Sequence, residues 1–186
     1  MKSNYPFVVL LLLTYNHEDC ISRTIKQIIV QDFRDYVVYI FDDNSKDDTR
    51  KIIQEEIKYD DRFLLISNSE NLGMFSNVEQ AIKLITQNEP NFAYFCLIGP
   101  DDEWDPTWLR KNIEILESHP EYSIAQSNVE YKYDAKSEIR IYSELEASKL
   151  NYESSMVLRH GYGELLHGVW SRKALNVFNY VASTIG

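Results

Sequence analysis

The apolar run Phe92-Ala93-Tyr94-Phe95-Cys96-Leu97-Ile98 leads directly into the polar segment Gly99-Pro100-Asp101-Asp102-Glu103-Trp104. A continuous apolar run that ends in turn residues is typical of a strand buried on both faces of a parallel sheet. In open α/β sheets, ligands bind outside the carboxyl ends of the strands. We therefore expect the carboxylates of Asp101 and Asp102 to lie where the predicted sheet binds its ligand.

A second predicted strand also ends in a pair of aspartates. Val37-Val38-Tyr39-Ile40-Phe41 runs into Asp42-Asp43-Asn44-Ser45. Magnesium is usually held by one or two protein carboxylates together with phosphate oxygens of the substrate. Two acidic pairs at strand ends in one small chain therefore predict a site for a metal–phosphate ligand.

Apolar periodicity predicts alternating strands and helices over the first two thirds of the chain. Strands are expected at residues 7–13, 36–41, 63–67 and 92–98, and helices at residues 21–31, 45–57, 78–85 and 106–116. Asp105 and Pro106 are expected to be the N-cap and the first residue of the fourth helix. This alternation predicts an α/β fold, a mostly parallel sheet with helices on both faces and its strand-end loops along one side.

The pattern changes after Pro120. Shorter strands are expected at residues 123–127, 129–133 and 138–142, the last two as a hairpin, and they predict a small mixed or antiparallel extension. Residues 143–158 are polar and irregular, which predicts a flexible loop, and a last helix is expected at residues 172–181. With 186 residues, 44% of them hydrophobic, the chain is long enough for one well-packed domain and too short for two.

The charge balance and the cysteines narrow the class of protein. The chain has 29 acidic residues against 19 lysines and arginines, a formal net charge of −10, which argues against nucleic acid as a partner. Its two cysteines form neither a disulfide framework nor a metal-binding spacing, so a reducing, cytoplasmic setting is expected. The apolar residues 6–13 are too few to span a bilayer, which takes about 20 residues, and predict a core strand. Peripheral attachment to a membrane remains open.

Four motifs occur in order, each at a predicted strand end or in a loop. They are Thr14-Tyr15-Asn16-x-Glu18, Asp42-Asp43-Asn44-Ser45-x-Asp47-x-Thr49, Asn71-x-Gly73-x-x-x-Asn77 and Asp101-Asp102. In this order they resemble the glycosyltransferases of family 2, which have the GT-A fold and use nucleotide-activated sugars. The resemblance covers residues 5–130, and more faintly residues 168–175. It implies one GT-A domain over residues 1–186, with a nucleotide-binding half at 5–120 and a partial acceptor-side half at 121–186.

The resemblance assigns the first motif to the nucleotide base. It implies that Tyr15 stacks on the base and that Thr14, Asn16 and Glu18 lie beside it. An aromatic face after a strand also suits a base on physical grounds, since base–aromatic stacking contributes about 1–3 kcal/mol. The alternative is that Tyr15 only ends the strand.

The second and third motifs are also assigned to the nucleotide. Asp43 resembles the carboxylate that accepts a hydrogen bond from the ring N–H of uracil, and Asp42 resembles its structural neighbour. Both could equally form a turn, because Asp and Asn-Ser sequences hydrogen-bond to their own backbone. Asn71 and Gly73 resemble the loop that lies against the nucleotide, where glycine permits close backbone approach. The alternative there, for Asn77 above all, is an ordinary helix N-terminus.

Asp101 and Asp102 match the end of the family's metal-binding motif. By resemblance, Asp102 coordinates a Mg²⁺ or Mn²⁺ ion that bridges the diphosphate, and Asp101 faces the ribose or the sugar nucleotide. Such an ion acts as a Lewis acid on the leaving diphosphate. The sequence departs from the commonest pattern at Gly99, where many relatives carry a first aspartate. The alternative is a solvated acidic cluster before the next helix.

The implied reaction is an inverting transfer of a sugar from a UDP-sugar to a hydroxyl of a glycan, a lipid-linked sugar or another acceptor. It needs a general base, normally Asp or Glu. In the family this base follows the segment that corresponds to residues 168–175, and no residue of this sequence is assigned to it. Two interpretations stay open, a piece of a longer glycosyltransferase or a catalytically degenerate module that binds a nucleotide sugar or a partner.

Two other classes of protein also place acids at strand ends. A nucleotidyltransferase would carry a glycine- and arginine-rich phosphate loop after the first strand, and Thr14-Tyr15-Asn16-His17 contains neither residue type. A receiver domain would leave Tyr15 and the Asp101-Asp102 pair without a role. We therefore favour a glycosyltransferase of bacterial glycan synthesis, placed in the cytoplasm or at the inner face of the membrane.

Overall fold

The computed structural model describes residues 8–133, 136–140 and 168–175. Its strands, in chain order, are β1 (Val8–Thr14), β2 (Tyr36–Asp42), β3 (Phe63–Ser67), β4 (Tyr94–Ile98), β5 (Ile124–Ala125), β6 (Val129–Tyr133), β7 (Lys136–Arg140) and β8 (Val169–Ser171). Its helices are α1 (Ile21–Ile29), α2 (Thr49–Glu56), α3 (Met74–Asn88) and α4 (Trp108–Ser118), with a short 3₁₀ turn at Arg172–Ala174. None of these helices is long and apolar enough to cross a membrane.

Six strands form one sheet in the order β3-β2-β1-β4-β8-β5. The pairs β1–β2, β1–β4 and β2–β3 are parallel, whereas β8 pairs antiparallel with both β4 and β5. Thr14 lies opposite Asp42, and Asp42 lies opposite Ser67, so three neighbouring strands end level with one another. The sheet therefore confirms the prediction of a mostly parallel α/β fold with an antiparallel extension after residue 120.

Both faces of the sheet are covered by helices, as the sequence predicted. Successive side chains of a strand point to opposite faces, so β1 contributes to two apolar layers. Val8, Leu10 and Leu12 pack with α1, α2 and α4, whereas Val9 and Leu11 pack with α3. Because β1 is buried on both faces, its sequence is apolar without alternation.

Several helix boundaries differ from the predicted ones, and α3, expected at residues 78–85, is longer at both ends and spans Met74–Asn88. α1 ends at Ile29, not Gln31, because the backbone N–H of Gln31 donates to the carbonyl oxygen of Ile28, three residues back, and so does not continue the α-helical pattern. α2 begins at Thr49, not near Ser45, because residues 45–48 form a turn bonded to the loop after β1. α4 begins at Trp108, not Pro106, because the Asp105 carboxylate accepts a hydrogen bond from the backbone N–H of Thr107 and closes a turn there.

The region after residue 120 differs more from its prediction. β5 is reduced to Ile124–Ala125 of the predicted 123–127, and the hairpin partner β7 begins at Lys136, two residues before its predicted start. The last helix, expected from Arg172, is preceded by a 3₁₀ turn at Arg172–Ala174 that directly follows β8, and Leu175 is α-helical. β8 itself was missed, because three residues are too few to show a strand pattern. The predicted loop at 143–158 and the end of the predicted last helix lie outside the described residues.

Candidate nucleotide-binding site

The predicted site residues follow three neighbouring strands of the sheet. Tyr15 follows β1, Asp43 follows β2, and the pair Asp101-Asp102 comes three residues after the end of β4. The order β2-β1-β4 puts β1 between the two acidic ends. Because these strands are parallel, all three loops lie at the carboxyl end of the sheet, where ligands of open α/β sheets bind.

The loop after β1, residues 15–20, is here called the tyrosine loop. Asn16 has a φ of 56°, a left-handed conformation that Asn adopts more readily than most residues. Nδ1 of His17 accepts a hydrogen bond from the backbone N–H of Tyr15 at 3.1 Å and lies 3.1 Å from Oγ1 of Thr14. Tyr15 is 39% exposed, so it is accessible to a ligand. The sequence alone did not assign His17 to the site.

The turn after β2, residues 43–48, is here called the aspartate turn. It both donates hydrogen bonds to the tyrosine loop and accepts hydrogen bonds from it. Oδ1 of Asn16 accepts a hydrogen bond from the N–H of Lys46 at 2.8 Å, and the N–H of Asn16 donates to Oγ of Ser45 at 3.0 Å. Oε2 of Glu18 accepts from the N–H of Asp48 at 2.8 Å. Two of the predicted nucleotide-binding side chains, Asn16 and Glu18, are thus bonded to the protein backbone, and these bonds position the tyrosine loop.

Two more hydrogen bonds complete this junction. The N–H of His17 donates to Oγ1 of Thr49 at 2.7 Å, and the N–H of Glu18 donates to Oδ2 of Asp47 at 3.1 Å. Burial works to raise the pKa of Asp47, but hydrogen bonds from Thr49 and from the Glu18 backbone outweigh it and hold the pKa below its usual value. An ionised Asp47 therefore helps to join the first strand's loop to the start of α2.

Adjacent aspartates at the end of β2 serve opposite faces of the sheet. Asp42 is fully buried, and its Oδ2 accepts hydrogen bonds from Nε and Nη2 of Arg50 at 3.1 and 2.9 Å. The N–H of Ser45 lies 3.3 Å from both carboxylate oxygens of Asp42. Asp42 therefore fixes α2 and the aspartate turn, which agrees with the structural role expected for it.

Asp43 points to the other side, towards the loop before α3. This loop, residues 68–73, is here called the asparagine loop. Oδ1 of Asp43 accepts hydrogen bonds from Nδ2 of Asn68 at 2.8 Å and from the N–H of Leu72 at 2.9 Å, and Oδ2 accepts from the N–H of Gly73 at 2.9 Å. The carboxylate is 4% exposed. Asp43 thus orders the asparagine loop, and Asn68 is a partner that the sequence motifs did not reveal.

The asparagine loop needs a glycine at its end. Gly73 has a φ of 78° and a ψ of 160° at the N-cap of α3, a combination that residues with a side chain rarely adopt. A Cβ added there would meet nothing within 4 Å, so the space beside the backbone is open, as expected for a surface that a ligand approaches. Oδ1 of Asn71 accepts a hydrogen bond from the Gly73 N–H at 3.0 Å. Asn77 is buried and accepts from Nδ2 of Asn68, which favours its structural alternative.

The loop after β4, residues 99–107, is here called the acidic loop. Asp101 is exposed, and Asp102 is partly buried. Burial raises the pKa of the Cys96 thiol in β4, and the charge of Asp102 adds to that shift. The described residues contain no group of three or more His, Cys, Asp or Glu side chains that could hold a metal ion. One or two carboxylate oxygens are nonetheless what Mg²⁺ or Mn²⁺ needs when phosphate oxygens supply the other ligands.

Comparison with known families identifies the chain. Residues 10–175 match the model of glycosyl transferase family 2. The chain belongs to this family. The four motifs that carried the resemblance lie within the matched residues, and the family predicted from the sequence is confirmed.

Curated relatives of the chain are longer glycosyltransferases. An uncharacterized glycosyltransferase of Haemophilus influenzae is 28% identical over 127 residues, 68% of this chain and 38% of the relative. The Escherichia coli enzyme WfaP, a UDP-Glc:alpha-D-GlcNAc-diphosphoundecaprenol beta-1,3-glucosyltransferase, is 29% identical over 111 residues, 60% of this chain and 41% of the enzyme. The chain therefore matches about two fifths of the length of these relatives.

Solved structures confirm the GT-A fold. Staphylococcus aureus TarS (residues 1–349) in complex with UDP-GlcNAc superposes with a TM-score of 0.66 at 16% identity, over 91% of this chain and 46% of the other. The mannosyltransferase PcManGT from Pyrobaculum calidifontis, in complex with GDP-Man and Mn²⁺, superposes with a TM-score of 0.64 at 15% identity, over 94% of this chain and 47% of the other. At these identities the superposition establishes the fold alone.

Proposed function

We propose that the chain is the nucleotide-sugar-binding part of a glycosyltransferase that transfers a sugar from a UDP-sugar to a hydroxyl acceptor with inversion. The observation that carries the proposal is the placement of Tyr15, Asp43 and the acidic loop at the carboxyl ends of three adjacent strands. A nucleoside diphosphate has a flat base, a ribose and two phosphates. An exposed aromatic ring, a loop ordered by Asp43 and a pair of carboxylates are chemically suited to these three parts.

The uridine is assigned to the side of the site formed by β1 and β2. The exposed ring of Tyr15 is the stacking platform for the base, and Thr14, Asn16 and Glu18 hold that ring in place through the tyrosine loop. Asp43 fixes the N–H groups of Leu72 and Gly73 and presents the asparagine loop towards the nucleotide. Asn71 and Gly73 then contribute backbone that the base or ribose can approach closely.

The diphosphate is assigned to the acidic loop. Asp102 would hold a Mg²⁺ or Mn²⁺ ion together with phosphate oxygens, and Asp101, which is exposed, would face the ribose or the sugar. When bound, such an ion supplies charge neutralisation of the leaving diphosphate. The mannosyltransferase of the same fold is in complex with Mn²⁺, which supports the proposal of a divalent cation as cofactor.

The reaction forms one bond and breaks one bond at the anomeric carbon of the donor sugar. The acceptor oxygen bonds to that carbon as the C–O bond to the diphosphate breaks, and UDP leaves on the opposite side, which inverts the configuration. The hydroxyl proton passes to a general base of the carboxylate class. Tyr15, Asp43 and the acidic loop contribute by holding the donor for in-line attack, which is an effect of position and orientation.

The relatives support a proposal for the acceptor and the location of the reaction. The name of the Escherichia coli relative describes a UDP-glucose donor and an acceptor linked to diphosphoundecaprenol, which is a membrane lipid. A lipid-linked glycan at the cytoplasmic face of a bacterial membrane is therefore the acceptor that we propose, with this chain acting beside the membrane as a peripheral protein.

Calorimetric titration of the chain with UDP, with GDP and CDP as controls, tests the proposal when each titration is run with and without Mn²⁺. We expect binding that is selective for UDP and that strengthens with the metal. Binding of GDP or CDP as tight as that of UDP would contradict the assignment of the site to uridine. Absence of binding to every nucleotide would favour a degenerate module that binds a protein partner.

A further inference from the structure

Polar side chains on one side of α1, and just after it, form hydrogen bonds with the acidic loop and with the first turn of α4. These side chains belong to Arg23, Thr24 and Gln27 in α1 and to Gln31 just after it. Thr24, Gln27 and Gln31 are three and four residues apart, a spacing that places side chains on one side of a helix. The acidic loop is therefore bonded along the length of one helix.

The contact nearest to the acidic pair is made by Thr24, which is fully buried. Its hydroxyl donates to the carbonyl oxygen of Pro100, the residue before Asp101, and lies 3.3 Å from the carbonyl oxygen of Cys20. Arg23 donates from Nη2 to the carbonyl oxygen of Asp101 at 3.3 Å. The backbone on which Asp101 and Asp102 are mounted is thus held at its start by the first turns of α1.

The far part of the acidic loop is held by the two glutamines. Oε1 of Gln27 accepts a hydrogen bond from the N–H of Trp104 at 3.2 Å. Gln31, which is buried, donates from Nε2 to the carbonyl oxygen of Asp105 at 3.0 Å and accepts from the N–H of Leu109 at 3.1 Å. Both ends of the loop are therefore bonded to the same element.

The same helix also begins directly at the tyrosine loop, where the N–H of Ile21 donates to the carbonyl oxygen of His17 at 2.9 Å. We propose that Thr24 and Gln27 are positioning residues: through the acidic loop they fix the Asp102 carboxylate relative to the ring of Tyr15. One nucleotide can then contact the ring with its base and the carboxylates with its metal-bound diphosphate at the same time. This inference rests on the proposed function, because it concerns the same site.

The expected effect is confined to the metal-dependent part of binding. Without the Thr24 hydroxyl or the Gln27 amide, the acidic loop samples positions in which Asp102 does not meet the diphosphate. Loss of one net hydrogen bond corresponds to a factor of about three to ten in a binding constant. The stacking of the base on Tyr15 does not depend on these contacts and stays as it was.

Three variants separate this role from a general loss of stability. Thr24→Val removes the hydroxyl with little change of shape, and Gln27→Met removes the acceptor for Trp104 while keeping the length of the side chain. Thr86→Val is the control for loss of a helical threonine hydroxyl at an exposed position, because the Thr86 hydroxyl donates within its own helix, to the carbonyl oxygen of Ile82 at 2.7 Å. Thr86 lies in α3, on the other face of the sheet.

The first readout is the ratio of UDP affinities with and without Mn²⁺. In Thr24→Val and in Gln27→Met we expect this ratio to fall about three- to tenfold, with metal-free UDP affinity within about twofold of the unchanged chain. Thr86→Val should keep the full ratio. If Thr24→Val does not fold, Gln27→Met carries the same test. A full Mn²⁺ effect in the folded variants would overturn the inference and leave the proposed function standing.

The second readout needs no ligand. Amide hydrogen exchange at residues 101–104 should be faster in Thr24→Val and Gln27→Met than in the unchanged chain, while exchange at residues 71–73 stays the same. If the unchanged chain shows no Mn²⁺-dependent UDP binding, the proposed function fails, and the exchange experiment alone decides whether these residues hold the loop. An unchanged exchange rate at residues 101–104 in both variants would show that Thr24 and Gln27 do not hold the acidic loop.

Discussion

The carboxylate of Asp43 accepts a hydrogen bond from the backbone N–H of Gly73 at 2.9 Å, across 30 residues of sequence. β2 ends at Asp42, whose side chain bonds to Arg50 of α2, and the next residue, Asp43, bonds to the backbone before α3. Asp42 is bonded to Arg50 on the one face, and Asp43 to Leu72 and Gly73 on the other. Two adjacent acids therefore hold two different loops of the site.

Asp43→Asn should destabilise the chain and weaken UDP binding together. An amide has one acceptor oxygen, so its nitrogen would face the N–H of Leu72 or Gly73 and leave a donor without a partner. We expect a loss of about 1–3 kcal/mol in the free energy of unfolding, measured by urea denaturation. Asp61→Asn, at an exposed position, is the control. Equal losses in the two variants would contradict the role given to Asp43.

Asp102→Ala should abolish the metal-dependent part of UDP binding and leave stability nearly unchanged. The Asp102 carboxylate is partly exposed, so its removal should change the free energy of unfolding by less than about 1 kcal/mol. Calorimetry with and without Mn²⁺ measures the first effect, and Asp61→Ala is the control for loss of an acid. Persistent enhancement of UDP binding by Mn²⁺ in Asp102→Ala would remove Asp102 from the metal-binding role.

Tyr15→Ala should weaken UDP binding by about 1–3 kcal/mol, whereas Tyr15→Phe should keep most of it, because the ring face provides the stacking. The effect should be equal with and without Mn²⁺, since the base and the diphosphate bind at different parts of the site. Tyr59→Ala is the matched control, because Tyr59 is 89% exposed and follows α2, away from the predicted site residues in sequence. A Phe variant as weak as the Ala variant would argue against stacking.

Gly73→Ala and Gly168→Ala should both destabilise the chain, for different physical reasons. At Gly73 the space is open, but φ is 78°, so the cost is backbone strain of about 1–3 kcal/mol. At Gly168 an added Cβ would lie 2.7 Å from Oε1 of Gln126 and 2.8 Å from Cδ1 of Ile124, so the cost is a collision. Ile124→Val should partly rescue Gly168→Ala and should not rescue Gly73→Ala, as measured by thermal unfolding.

Glu56 should make the chain sensitive to acid. Hydrogen bonds from Ser22 and then Lys26 hold the pKa of Glu56 below its ordinary value of 4.5. A carboxyl whose pKa is lowered by folding stabilises the folded state above its ordinary pKa and loses that contribution as the pH falls through the lowered value. The urea concentration at the midpoint of unfolding should therefore decrease as the pH is lowered below about 4.5. In Glu56→Gln this decrease should be smaller. An unchanged pH profile in Glu56→Gln would contradict this assignment.

The sequence predicted the fold well where burial alone determines the pattern. β1 and β4 are buried on both faces, and their apolar runs marked them without ambiguity. Short elements could not be predicted in this way. β8 has three residues, and its partners β4 and β5 are distant in sequence, so its pairing depends on contacts that no local pattern records.

The site was predicted by residue type and not by contact. The sequence placed Tyr15, Asp43 and the Asp101-Asp102 pair at strand ends, and the structure brings those ends together at one side of the sheet. It could not predict that Asn16 and Glu18 bond to the aspartate turn, because those bonds depend on the left-handed conformation of Asn16. The nucleotide and metal roles of these residues stay predictions. The prediction that residues 1–186 form one domain also stays a prediction.

The insertion of β8 between β4 and β5 has a consequence for the order of assembly during synthesis. Val169 pairs with Cys96 and with Ala125. The six-stranded sheet is therefore complete only after residues far apart in sequence have paired. Contacts of such long sequence separation form late and slow folding. Until residues 169–171 emerge from the ribosome, β4 presents its unpaired backbone as an open edge, to which another nascent chain can add.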